Sequence, residues 1–280
     1  MPASEPPPLP VSEMPLKPVV TFLAVTFAWS WGFWALPVLA HRGVEMPWEL
    51  SRWALAGGPA AWGPFAGAVV VALMRGGPAH LWAFLWRATR LDFGFVWYLV
   101  VFLTFPVLIY LAVLFASASG AMLEATTAMQ HPGTIPLAFF VILLTGGPLQ
   151  EEYGWRGTLL DPLQARFGAL GASLVVGAIW ALWHLPLFLW PNDAGPYYGR
   201  PFWGTLLTLV LISVLFTWVW NNTGRSLAAV LIFHTMFNLS HWVFPALEDD
   251  TAGLTLFGFE FALVVLVVLL FGPRRLIRRA

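Results

Sequence analysis

The sequence predicts an all-α integral membrane protein with about eight transmembrane helices and both termini in the cytoplasm. Three observations predict it. Of the 280 residues, 59% are hydrophobic and 10% charged, whereas a soluble domain carries about a quarter charged residues and needs them to cover its surface. Eight stretches reach or approach the roughly 20 apolar residues that a spanning helix requires. Lysine and arginine are divided unevenly between alternate loops, the pattern that sets membrane orientation. The 17 tryptophans suit a chain with many membrane interfaces, where indole rings settle at headgroup level. A net charge of zero suggests no nucleic-acid partner, and the lack of cysteine removes disulfides, thiolate metal sites and cysteine nucleophiles.

Residues 1–18, MPASEPPPLPVSEMPLKP, are proline-rich and read as a disordered tail. A single polytopic helical domain follows over residues 19–272, with a basic cytoplasmic tail at 273–280. The expected spans are Val19 to Ala40, Trp53 to Met74, Val96 to Ala118, Ile135 to Leu160, Ala169 to Trp190, Phe202 to Trp220, Ser226 to Phe244 and Leu254 to Phe271. The first is too long for the apolar core of a secretory signal and reads as a retained helix. With the N-terminus inside, Lys17, Arg75, Arg87, Arg90, Arg156, Arg166, Arg225, Arg274, Arg275, Arg278 and Arg279 are cytoplasmic, and only Arg42, Arg52 and Arg200 are not. Between the second and third spans, HLWAFLWRATRLDF sets Leu81, Phe84 and Leu85 on one helical side and Arg87 and Arg90 near the other, as in a helix lying in the interface. There is no repeat at a fixed period, nor the paired broken helices of an inverted-repeat transporter.

Ionisable groups at bilayer depth cost roughly 2.5–3.5 kcal/mol each, which makes them candidates for function. Three clusters stand out: Glu151, Glu152 and Arg156 in TGGPLQEEYGWRGTLL; His184 in GAIWALWHLPLFLW; and His234 with Asn238 in AAVLIFHTMFNLSHW. Glu152 and Arg156 are four apart and share a helical face, so they are expected to pair. Glu151 points about 100° away and is left as the unpaired carboxylate. His234 and Asn238, also four apart, project together. At about 1.5 Å per residue, Glu151 lies roughly 13 Å deep, His234 about 12 Å, Asn238 about 18 Å and His184 at most about 22 Å, depths compatible with one cavity open to the cytoplasm. Gly146, Gly147 and Pro148 predict a kink or local unwinding just before the glutamates, tolerated where freed backbone lines a wet cavity. Singly, each residue reads as a helix end in headgroups or a packing histidine; four sites on three segments at matching depth do not. His41, His80 and His131 read as surface residues, and His241, seven beyond His234, as a neighbour of the site at most.

These residues carry a family pattern. EEYGWR resembles the EExxxR motif, WALWH the FxxxH motif and HTMFN the HxxxN motif of the CAAX-protease and bacteriocin-processing (CPBP, or Abi) family, which includes the type II CAAX prenyl endopeptidases. The similarity covers about residues 135–244, with the motifs in the family's order. Trp180 stands where the second motif usually has phenylalanine, a change expected to touch pocket shape rather than chemistry. The resemblance implies intramembrane peptide-bond hydrolysis in a multi-pass protein of a bacterial plasma membrane. By position, Glu151 would activate a water with the help of His184, His234 and Asn238 would stabilise the oxyanion, and Glu152 and Arg156 would support Glu151. The residue types agree: carboxylates serve as general bases, and histidine and asparagine supply N–H donors for developing negative charge. No cofactor is expected. A zinc version of the same peptidase stays open, with Glu151, His184 and His234 as ligands and Glu152 as base, although no HExxH helix is present. The implied partners are a peptide or membrane-protein substrate and the lipid bilayer. The competing classes are a proton-coupled membrane transporter, since buried Glu and His also build proton relays, and a non-enzymatic bacteriocin-immunity or scaffold protein.

Overall fold

The computed structural model describes residues 16–46, 59–192 and 197–277. The expected disordered tail lies largely outside these residues, as do the start of the second span and the last three residues of the basic tail. Among the described residues the regular structure is all helical: α1 (Leu16–His41), α2 (Gly63–Leu85), α3 (Phe95–Ala118), α4 (Ile135–Thr145), α5 (Pro148–Gly154), α6 (Asp161–Trp183), α7 (Phe202–Asn222), α8 (Leu227–Val243) and α9 (Asp250–Phe271). By length and composition, six helical stretches are able to cross a membrane: Leu16–His41, Ala60–Thr89, Phe95–Ala118, Pro148–Trp183, Phe202–Asn222 and Asp250–Phe271. Two shorter apolar helices, Pro132–Thr145 and Leu227–Val243, accompany them.

The expected fourth span, Ile135 to Leu160, is not one helix. The chain breaks at Gly146 and Gly147, restarts at Pro148, and runs through a π-helical segment, Trp155–Leu160, directly into α6. Here a rigid apolar run gives way to two glycines and a proline, which cannot sustain the hydrogen-bond ladder. Inside α6 the helix breaks again at Gly168, with φ 70° and ψ 174°, one residue before the expected start of the fifth span. That break exposes backbone N–H groups, which need partners. Ala169 donates to Arg274 O at 2.8 Å and Leu170 to Pro273 O at 2.9 Å. Asn221 and Asn222 donate to Arg275 O and Leu276 O at 2.7 and 2.6 Å. Residues 273–276 of the basic tail are therefore tied to the break in α6 and the end of α7.

A third break, at Gly76 and Gly77, separates the end of α2 from its first half. In this short final piece Phe84 is buried, Leu81 and Leu85 are partly buried, and Trp82 and Trp86 are exposed, the sidedness read from the sequence. Arg87 donates to Arg225 O at 3.2 Å, and Arg225 lies 3.6 Å from Asp161. Several of the basic residues assigned to one face of the membrane thus meet at one end of the bundle.

Small residues let the helices approach closely, as membrane packing favours. A Cβ on Gly177 of α6 would sit 2.6 Å from Val210 Cα and 2.8 Å from Leu209 O of α7, and one on Gly154 of α5 would sit 2.7 Å from Pro64 Cβ of α2. These contacts fix α5 and α6 against their neighbours and so hold both site-bearing stretches in place. Gly204, also on α7, has nothing within 4 Å of its missing Cβ. Thermal unfolding in detergent should therefore separate two like substitutions: Gly177→Ala is expected to lose about 1–3 kcal/mol through overpacking, and Gly204→Ala to be neutral or slightly stabilising.

Candidate active site

The site begins at the break between α4 and α5. Pro148 suits a first helical turn, because it lacks the N–H that would be unpaired there. Gly147 adopts φ +114°, a conformation that side-chain-bearing residues rarely enter, and its N–H donates to Gln150 Oε1 at 3.0 Å. The restarted helix then turns both glutamates into protein: Glu152 is fully buried and Glu151 is 5% exposed.

Glu152 is the best-partnered acid. Arg156 Nη1 donates to its two oxygens at 2.8 and 3.0 Å, so the pair expected four residues apart is present. His234 Nδ1, arriving from α8, lies 2.8 Å from Glu152 Oε1. Arg156 Nε and Nη2 have no hydrogen-bond partner among the described residues. Its guanidinium lies instead 4.1 Å from the Phe216 ring centroid and 4.7 Å from that of Trp180, where the ring quadrupoles attract a desolvated cation.

Glu151 has no ion-pair partner among the described residues, as its helical angle suggests, yet it is held by hydrogen bonds. Its Oε2 accepts from Trp155 Nε1 at 3.1 Å and from Trp180 Nε1 at 2.5 Å. This corrects the expectation for Trp180, since the indole at that position contributes an N–H to the acid and is more than a change of pocket shape. Asn238 Nδ2 donates to Gly146 O at 2.7 Å and so bridges α8 to the backbone break. A Cβ built on Gly147 would lie 2.9 Å from Glu151 Oε1, 3.3 Å from Asn238 Nδ2 and 3.5 Å from His234 Nε2. Three polar side chains thus face one point, and only glycine leaves that point open.

His184 follows α6 directly. Its Nδ1 lies 2.9 Å from Trp180 O, its ring stacks on Tyr197 at 5.3 Å and 27°, and it meets Trp183 edge-on at 4.6 Å. It makes no hydrogen bond to Glu151 among the described residues. Desolvation, and secondarily the nearby Glu151 charge, push the Tyr197 phenol well above its ordinary pKa, so it remains an O–H at neutral pH. His241 packs on Phe237 at 4.7 Å and makes no bond to the site. His184 and His234 are buried, whereas Asn238 is partly exposed and Gly146 exposed, so the site opens on the side of the backbone break.

The sequence reading missed Trp155, Gly147 as the floor of the site, and Tyr197. Trp155 stands four residues after Glu151 in the same helical path, so the spacing used for Glu152 and Arg156 would have found it. Tyr197 lies in a turn without periodicity, and nothing local marks it. Among the described residues no group of three or more His, Cys, Asp or Glu side chains stands close enough together to hold a metal ion.

The order and spacing of these residues agree with one known family. Residues 133–240 match the family model of the Rce1-like type II CAAX prenyl endopeptidases. All the polar side chains of the site fall within that match. A stretch of 162 residues, 54% of this chain, is 29% identical to the CAAX prenyl protease 2 of Methanococcus maripaludis and covers 57% of that protein. The aligned part thus spans a little over half the length of that curated relative. The region of Rce1-like similarity runs from just before α4 to near the end of α8, and includes the backbone break, the π-helical segment and both histidines.

Removing one partner of a buried charged pair strands the other. Arg156→Leu is accordingly expected to cost about 3–5 kcal/mol of stability in detergent unfolding. The double variant Glu152→Gln with Arg156→Leu should cost less, because the stranded charge is gone.

Proposed function

We propose that this chain is an intramembrane endopeptidase that hydrolyses a peptide bond with a water activated by Glu151. The reading is carried by the convergence of Glu151 Oε1, His234 Nε2 and Asn238 Nδ2 on the point in front of Gly147. A water held between these three atoms, clear of the Gly147 backbone, would pass a proton to Glu151 Oε1 while its oxygen attacks the carbonyl carbon. Glu151 would hand that proton to the amine as the C–N bond breaks, a role for which a base within hydrogen-bond reach is required. His184, with Nδ1 tied to Trp180 O, would use Nε2 to hold that water. With His234 Nδ1 engaged by Glu152, Nε2 is the ring nitrogen left to face the reacting water and the oxyanion. The second N–H of Asn238 would join it on the oxyanion. The exposed backbone beside Gly146 gives an extended peptide a place to lie.

The similarity to a CAAX prenyl protease supports the choice of substrate class, a prenylated peptide or membrane protein. The charge distribution supports cytoplasmic termini, with the site nearer the cytoplasmic face of a bacterial plasma membrane. We assign catalysis to the glutamate, supported by Glu151 Oε1 facing Asn238 Nδ2 and His234 Nε2 while Oε2 is taken up by two indoles.

The test is cleavage of a fluorogenic prenylated CAAX peptide by purified protein. Glu151→Ala and His184→Ala should each lose activity, by about 10²–10⁴-fold for the base, and Asn238→Ala by about 10²–10³-fold. Undiminished turnover in Glu151→Ala would defeat the assignment. Wild-type activity should survive a strong chelator; loss of turnover restored by zinc would transfer the chemistry to a metal.

A further inference from the structure

Glu151 is held in an unsymmetrical way. Both of its hydrogen bonds go to one oxygen, Oε2, and both donors are indole N–H groups, Trp155 from the same helical path and Trp180 from α6. The other oxygen is the one that lies against the point in front of Gly147, near Asn238 Nδ2 and His234 Nε2. A carboxylate can turn about its terminal bond and exchange its oxygens, because that torsion is soft and two-fold. Two donors fixed on one side oppose that rotation only if they are themselves immobile, and these are. Trp155 is fully buried and meets Phe22 and Trp183 edge-on at 5.6 and 5.9 Å. Trp180 is 2% exposed and is packed by Phe216 and His234 at 5.7 and 5.4 Å, with the Arg156 guanidinium 4.7 Å from its ring centroid.

We propose that Trp155 and Trp180 are positioning residues that clamp Oε2 of Glu151, so that Oε1 alone is presented to the reacting water. The consequence for turnover rests on the endopeptidase reading above; the clamp itself does not. Trp180 matters more, because it couples the acid to α6 and is itself held by the Arg156 that anchors Glu152. A phenylalanine at 180 fills most of the same space and supplies no N–H.

Two measurements test this. In protein labelled with ¹⁵N-tryptophan, the indole N–H signals of Trp155 and Trp180 are identified by their loss in Trp155→Phe and Trp180→Phe. Both are expected downfield, as donors to a carboxylate, and both should move upfield in Glu151→Ala. Signals that stay in place would overturn the clamp. The second measurement replaces Trp180 by 3-benzothienylalanine, which keeps the bicyclic shape with sulfur in place of the N–H. That protein should stay folded, with its unfolding midpoint lowered by no more than the loss of one hydrogen bond, and turn over the prenylated CAAX peptide with unchanged KM. Its kcat should fall about ten- to hundredfold, the size of a lost hydrogen bond to a charged group. Wild-type kcat in this variant would overturn the positioning role. A wild-type protein that cleaves nothing, while the two indole signals still move, would sink the endopeptidase reading and keep the clamp.

Discussion

The buried carboxylate of Glu152 is the interaction around which the rest of the molecule is arranged. It is wholly removed from solvent, as is Arg156, and in a bilayer such charges persist only when paired and shielded. Arg156 supplies one partner from the next helical turn and His234 supplies another from α8. The remaining face of the guanidinium needs aromatic rings, which come from α6 and α7. Meeting the needs of one ion pair therefore draws four helical stretches together, and it does so beside Glu151. A packing of apolar helices alone would not specify this register, because lipid is as apolar as the side chains and gives them little reason to prefer one another.

The broken helices answer a second need. A continuous ladder through Gly146 and Gly147 would carry the chain past the site with its backbone groups closed off. Breaking it frees the Gly146 carbonyl and the Gly147 N–H, and each is taken up at once, by Asn238 and by Gln150. The break at Gly168 is repaired in the same way by the carbonyls of Pro273 and Arg274. The π-helical segment that follows Glu152 widens the helix where Trp155 and Arg156 must reach back to the two acids, and such segments recur at functional sites.

What could be read in the sequence was what local geometry controls. Apolar runs marked the helices, four-residue spacing predicted the Glu152–Arg156 pair, and the Gly-Gly-Pro run predicted the break before it. Helical angle also separated Glu151 from Glu152 correctly and left it without an ion pair, but it did not show the indole N–H group that reaches Glu151 from α6. Angle describes only neighbours on the same helix, and Trp180 comes from another helix 29 residues later. The bond from His234 to Glu152, across 82 residues, was hidden for the same reason, as was the stacking of Tyr197 on His184. The docking of residues 273–276 was missed because a basic C-terminal stretch looks like a solvated tail until a helix end with unpaired N–H groups is found beside it.

One rule unites the side chains that face the site. Each spends part of its hydrogen-bonding capacity on an anchor and keeps the rest. Glu151 anchors Oε2 on two indoles and offers Oε1. His234 anchors Nδ1 on Glu152 and offers Nε2. Asn238 spends one N–H on Gly146 O and retains the other on the same nitrogen. His184 anchors Nδ1 on a backbone carbonyl one turn back, which leaves Nε2 to act. On the proposed endopeptidase reading, orientation would thus be settled before a substrate arrives and little reorganisation left for the reacting state, the condition under which fixed dipoles stabilise developing charge most effectively. The same rule fits the deep burial of the anchors beside a partly open Asn238: anchors gain strength from exclusion of water, and on the proposed reading the presented atoms would need a route by which a peptide can reach them.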